Sequence, residues 1–207
     1  MQNQLETLLE SHAPLDELDE FVWNLFLAAT TEGGHPFASG VFATVSQQNG
    51  HATAQARTVI LRQANRLNTS LDFYTDARSP KVTQLANAGV AWLFYDRESK
   101  IQIRATGNAQ ILDGDEATEA WKTIPLASRD AYLSISAPSN TISGQDTRTP
   151  PANTQFPQTD TEKGRDNFRI VRTIANEVEL LFLRDRGHIR ARLNYSEGQC
   201  DANWLIP

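Results

Sequence analysis

Residues 101–112 read IQIRATGNAQIL, and that stretch decides the kind of fold the chain adopts. Ile101, Ile103, Ala105, Gly107, Ala109 and Ile111 alternate with Gln102, Arg104, Thr106, Asn108 and Gln110. A period of two sustained this long is a strand with one face in a core and one polar face. Working outward, Val90 to Tyr95 and Leu71 to Thr75 are further short β-prone runs. Ser39 to Ser46, the polar Gln47-Gln48-Asn49-Gly50 turn and the return arm Ala52 to Arg62 predict a hairpin. Toward the end, strands are expected at Phe168–Ile174, Glu177–Leu183, His188–Tyr195 and Asn203–Ile206, with a tight turn at Asp185-Arg186-Gly187.

Helices lie between these strands and at the front of the chain. Leu15, Leu18, Phe21, Val22, Leu25 and Phe26 recur at three- and four-residue steps, the stripe of an amphipathic helix, with Pro14 in its first turn and Gly33-Gly34 ending it. Ser79-Pro80 opens a short helix running to Ala86, with Ser79 as its N-cap. Asp115-Glu116 opens another, carrying Ala117, Ala120, Trp121 and Ile124. Residues 137–159 are rich in Pro and Thr and poor in large apolar side chains, so they are expected as an irregular arm. The whole is a mainly β chain, an antiparallel barrel with peripheral helices and an N-terminal helical segment over residues 1–34.

Composition limits the functions. The chain has 207 residues, a net charge of −6 and a single cysteine, Cys200. An acidic chain is a poor coat for nucleic acid or an anionic membrane, and one cysteine cannot make an intrachain disulfide. The longest apolar runs fall well short of the roughly 20 residues that span a bilayer. The first ten residues, MQNQLETLLE, lack the pattern of a secretory leader, so a cytoplasmic location is expected. His12, His35, His51 and His188 share no ligand spacing, and no metal site is expected.

The informative feature is where basic residues fall. Arg57 and Arg62 bracket Thr58-Val59-Ile60-Leu61 and, five apart, face opposite sides of an extended strand. Tyr74-Thr75 ends a strand just before Ser79-Pro80-Lys81 starts a helix, an arrangement suited to a phosphate monoester. A capped surface helix with incidental arginines fits the same residues. Gln102 carries both donor and acceptor, which suits an imide-like edge, although a solvated strand face fits as well. His188, Arg190 and Arg192 alternate along one strand, and three basic groups in a row repel unless an anion lies between them.

Taken in order, FATVSQQNGHATAQARTVILR, LDFYTDARSPK, VAWLFYDRESKIQIRATGNAQIL, VELLFLRDRGHIRARLNYSEG and WLIP resemble the pyridoxamine 5′-phosphate oxidase-like FMN-binding split barrels. The resemblance runs from about Phe37 to the end. It implies a six-stranded antiparallel split barrel over the whole chain, 1–207, and a homodimer with each FMN held between two subunits. It implies that Arg57 and Lys81, with Ser79, hold the FMN phosphate. Thr58, Val59, Ile60, Tyr74 and Thr75 would line the ribityl chain and isoalloxazine, Gln102 the polar ring edge, and Arg192 the flavin as well. Arg62, His188 and Arg190 would face a small-molecule substrate.

The sequence departs from the oxidase at several of these positions. Pro80 stands where the oxidase has an arginine, with Arg78 close enough to replace it, and Leu181 stands where it has a tryptophan. Arg62 replaces a lysine, and the histidine and arginine of the oxidase's substrate signature are exchanged at His188 and Arg190. The resemblance therefore implies an FMN-dependent oxidoreductase whose substrate is not the classical one. A non-catalytic flavin- or haem-binding protein on the same barrel is the alternative.

Overall fold

The computed structural model describes residues 15–48, 50–85, 89–134, 136–141 and 161–207. Pro14, Asn49, Ala86 and most of the expected arm at 137–159 lie outside the described residues. The amphipathic stripe forms α1, Leu15–Thr31. The hairpin forms as β1, Ser39–Gln48, and β2, His51–Ile60, paired from Ser39↔Ile60 to Gln48↔His51. A short β3, Gln63–Asn65, leads into β4, Ser70–Asp76. One helical turn follows, α2, Pro80–Thr83. Then come β5, Gly89–Asp96, and β6, Ile101–Leu112, the strand with the clear alternation. α3, Asp115–Thr123, and α4, Leu126–Arg129, lie between β6 and the last three strands. These are β7, Phe168–Phe182, β8, Ile189–Ser196, and β9, Gln199–Leu205.

All nine strands among the described residues join one sheet, every pair antiparallel. Its path, β2-β1-β5-β6-β7-β4-β3, runs through six longer strands, with β3 following directly on β2 in the chain. The sheet therefore comes back on itself: Arg62 N–H donates to the Asp72 carbonyl, 2.8 Å, where β2 passes into β3.

Two strands expected on either side of Ala175 are a single one. β7 is 15 residues long and changes partner halfway, pairing β4 along Phe168–Ile174 and β8 along Glu177–Phe182. The change falls at a bulge, where Glu177 pairs Thr106 but Ala175 pairs Gly107, leaving Asn176 as the extra residue. A Cβ on Gly107 would overlap the Ile174 carbonyl, so only glycine lets the two backbones approach there. The last strand also starts earlier than expected, at Gln199, and His188 precedes β8 instead of belonging to it.

The inward side chains make one aromatic core. Phe42, Phe73, Trp92 and Phe94 are fully buried between the strands, and α1 closes the core with Leu18, Val22, Trp23 and Phe26. Trp92 also satisfies its indole N–H on Thr173 Oγ1, 2.9 Å, so its burial leaves no polar group unpaired. A second, smaller core packs α3 against β7 through Ala117, Trp121, Ile124, Phe168 and Ile170, with Tyr74 and Tyr132 at its margin. Among the described residues, no helix is long and apolar enough to cross a membrane.

Candidate functional site

Four of the expected residues meet at one end of the sheet. Arg57 pairs with Phe42 in the β1–β2 ladder and so lies on the core side. Its Nη1 donates to Thr44 Oγ1, 2.8 Å, and to the Phe42 carbonyl, 3.3 Å, while Nη2 donates to Gln84 Oε1, 3.0 Å. Lys81 Nζ donates to Ser79 Oγ, 2.7 Å, and to Thr75 Oγ1, 3.1 Å. Thr44, Thr75 and Ser79 are buried, so the two cations stand among sheltered hydroxyls. Among the described residues, no carboxylate lies within 4 Å of either cation. Burial, and then the nearby Arg57 charge, hold the Lys81 ammonium below its usual range. Burial likewise lowers Arg57. Two mutually repelling cations with hydroxyl neighbours form a cradle that a phosphate would relieve.

The local sequence explains the arrangement with one change. Ser79 occupies the N-cap position, but its hydroxyl makes no capping bond and accepts from Lys81 instead. The helix it opens has four residues, so a macrodipole contributes little, and the positive charge comes from the two side chains. Arg78 does not fill the place of the missing arginine. Its Nε and Nη2 hold the Asp76 carboxylate at 3.0 and 2.7 Å, and its Nη1 holds the Ser134 carbonyl at 2.8 Å. Thr44 and Gln84 were not expected. Their signal was a threonine between inward-facing Phe42 and Ser46, a polar group at a core-facing position.

The remaining residues stand elsewhere. Thr58 and Ile60 point to the outer face, while Val59 packs on the core. Tyr74 is on the opposite side of β4 from Thr75, with the exposed Arg62 guanidinium 5.7 Å from its ring centroid. Burial raises both Tyr74 and Tyr132, the latter to about 12, with Arg62 acting against the rise in each. Arg129 is buried against the Trp121 ring and paired with Glu162 at 2.6 Å.

On the outer face, Gln102 pairs with Tyr95 and Leu181, and one row crosses the sheet as Val41, Leu93, Arg104, Glu179, Arg192, Asn203. Here the anion between the basic residues belongs to the chain itself. Glu179 takes Arg190 Nη2 at 2.8 Å, Arg104 Nη2 at 3.2 Å and Arg192 Nη2 at 3.6 Å. Glu177 takes Arg192 Nε at 3.2 Å. His188 accepts the Arg184 N–H at Nδ1, 3.3 Å, and stands apart from that row. Among the described residues, no cluster of His, Cys, Asp and Glu could hold a metal ion.

A rolled antiparallel sheet whose long strand changes partner at a bulge is the fold of a split barrel, here with Arg57 and Lys81 set among buried hydroxyls. Residues 21–113 match the family profile described as pyridoxamine 5′-phosphate oxidase, FMN-binding domain. Among solved structures, a pyridoxamine 5′-phosphate oxidase-related, FMN-binding protein from Nostoc punctiforme PCC 73102 is 19% identical. The match covers 88% of this chain and 94% of that one, with a TM-score of 0.67. PhzG from Burkholderia lata 383, solved with tetrahydrophenazine-1-carboxylic acid, is 18% identical over 94% of this chain and 92% of its own, with a TM-score of 0.66. These two likenesses establish the fold. No curated protein sequence matches. Residues 21–113 are thus similar to the pyridoxamine 5′-phosphate oxidase FMN-binding domain, and the chain has the fold of the related split barrels.

Proposed function

We propose that this protein binds FMN and acts as an FMN-dependent oxidoreductase in a homodimer. The observation that carries the reading is the pair Arg57 and Lys81, close enough to repel, without a carboxylate partner among the described residues and surrounded by Thr75, Ser79 and Thr44. These groups fit a phosphate monoester: two charges to neutralise it and hydroxyls to complete its hydrogen bonds. Thr58, Val59, Ile60 and Tyr74 would border the rest of the cofactor, with Gln102 and Arg192 at its ring. Bound FMN supplies hydride chemistry at its N5 position. Arg62, His188 and Arg190 would then orient a substrate other than the classical one.

The same geometry supports the dimer. Arg57 is on the core side of the sheet, whereas Gln102 and Arg192 are on the outer side. A flavin that meets both halves bridges two copies. The outer side also exposes Val41, Val45, Ile60, Leu93 and Tyr95, an apolar band of the kind that a second subunit covers. The single cysteine fits a reducing, cytoplasmic setting.

The test is a titration of the purified protein with FMN and with riboflavin, which lacks the phosphate. FMN is expected to bind and turn the protein yellow, and Arg57→Ala to weaken FMN by about 100-fold while leaving riboflavin nearly unchanged. A protein that takes up neither flavin overturns the reading. Reduction of the bound flavin by a nicotinamide donor then separates an oxidoreductase from a flavin carrier. The tethering of Arg190 and Arg192 to carboxylates of their own chain is the one observation that favours a carrier.

A further inference from the structure

Glu179 is 3% exposed, yet it is a carboxylate on a sheet face whose neighbours are half-buried or exposed. A carboxylate this sheltered is costly unless its oxygens are satisfied, and three arginines from two flanking strands satisfy it. The geometry is regular. Each arginine gives the same terminal nitrogen, Nη2, so Glu179 faces one edge of three guanidinium forks. The Nη1 atoms of Arg104, Arg190 and Arg192 donate to nothing among the described residues. The Nε atoms of Arg104, Arg190 and Arg192 are buried and make no hydrogen bond there either, that of Arg192 only facing Glu177 as an ion pair. Glu177 supplies the second carboxylate, at 3.2 Å from Arg192 and 3.9 Å from Arg104. Three cations against two carboxylates leave the cluster net positive, and Gln102 shares a row of the sheet with Arg190 across Leu181.

Resting on the FMN reading above, we infer that Glu179 is a positioning residue of the flavin site. It fixes Arg190 and Arg192 by one edge and leaves their other edges aimed at an acceptor-rich ligand. A planar fork held at one nitrogen keeps its orientation, whereas an untethered arginine spreads over many rotamers and loses entropy on binding. Glu179 touches no ligand itself. Its effect reaches the ring end of the cofactor and its neighbour, not the phosphate end, which Arg57 and Lys81 hold on the other side of the sheet.

That separation defines the experiment. In the full-length dimer, Glu179→Gln is expected to weaken FMN and riboflavin by the same factor, about tenfold, leaving their ratio intact. Arg57→Ala changes that ratio. In an Arg192→Ala background, Glu179→Gln is expected to add less than twofold, because the residue it positions is gone. Glu179→Asp, which keeps the charge on a shorter stem, serves if the glutamine variant does not fold, and the same common loss is expected of it. The spectrum of bound flavin should shift in the Glu179 variants and not in Arg57→Ala. Full additivity with Arg192→Ala, or unchanged affinity for both flavins in a folded Glu179 variant, overturns the inference. Failure of the wild-type protein to bind either flavin overturns the FMN reading and this inference with it.

Discussion

Lys81 shows how much a single side chain's surroundings decide. Its ammonium is held below the usual lysine range by burial first and by Arg57 second, with Asp76 opposing. The folded protein therefore binds fewer protons than the unfolded chain between that lowered pKa and the ordinary value of about 10.5. In that window stability rises with pH, since unfolding takes up a proton. Phosphate binding runs the other way, because only the ammonium attracts the dianion. FMN affinity is expected to fall as pH climbs from neutral through the lowered Lys81 pKa, and riboflavin affinity to hold steady by comparison. Calorimetric titrations at several pH values with both flavins check this. In Lys81→Met the difference between the two profiles should vanish, and a wild-type FMN profile parallel to that of riboflavin would remove Lys81 from the phosphate site.

At the scale of elements, β6 and β7 carry the design. The alternation of residues 101–112 was legible because one face is wholly apolar, and the structure buries Ile101, Ile103, Ala105 and Gly107 as that pattern requires, whereas Ile111, beyond the bulge, is exposed. The continuity of β7 was not legible. Ala175-Asn176 looks like a break between strands, and only pairing with an unbroken β6 carries the backbone through it as a bulge. Gly107 is the residue opposite. Gly107→Ala is expected to cost about 3 kcal/mol, as a forced overlap with backbone that has little room to move. Thermal unfolding measures it, and an unchanged Tm would mean that the bulge relaxes freely. The short α2 teaches the converse. Its punctuation, Ser79-Pro80, was plain, but its length depends on what packs around it, and one turn is all that forms before residue 84.

Across the whole molecule, the charge distribution is more telling than its sum. The net −6 conceals two cations without a carboxylate partner among the described residues on one side of the sheet, and an arginine cluster tied to Glu177 and Glu179 on the other. Between them lies the exposed band of Val41, Val45, Leu93 and Tyr95. If two copies join through that band, Leu93→Glu should yield monomers by sedimentation and lose FMN as well, since the flavin would meet only one half of its site. A Leu93→Glu protein that stays dimeric, or a monomer that keeps full flavin affinity, would contradict a cofactor shared between copies.

By itself, the sequence determined where most strands lie, the Ser79-Pro80 turn before Lys81 and the basic residues that stand near one another. Those depend on periodicity and local chemistry, which a short window contains. Tertiary structure alone decided which charges remain without a carboxylate among the described residues. Arg57 and Lys81 do because the sheet brings hydroxyls, not acids, to them, and Arg78, Arg190 and Arg192 do not because Asp76 and Glu179 reach them first. For Glu179 the sequence held a hint, a charge inside the run Val178-Glu179-Leu180-Leu181. Its partners come from the strands on either side, more than seventy residues upstream in one case, and no local pattern encodes a register across a sheet.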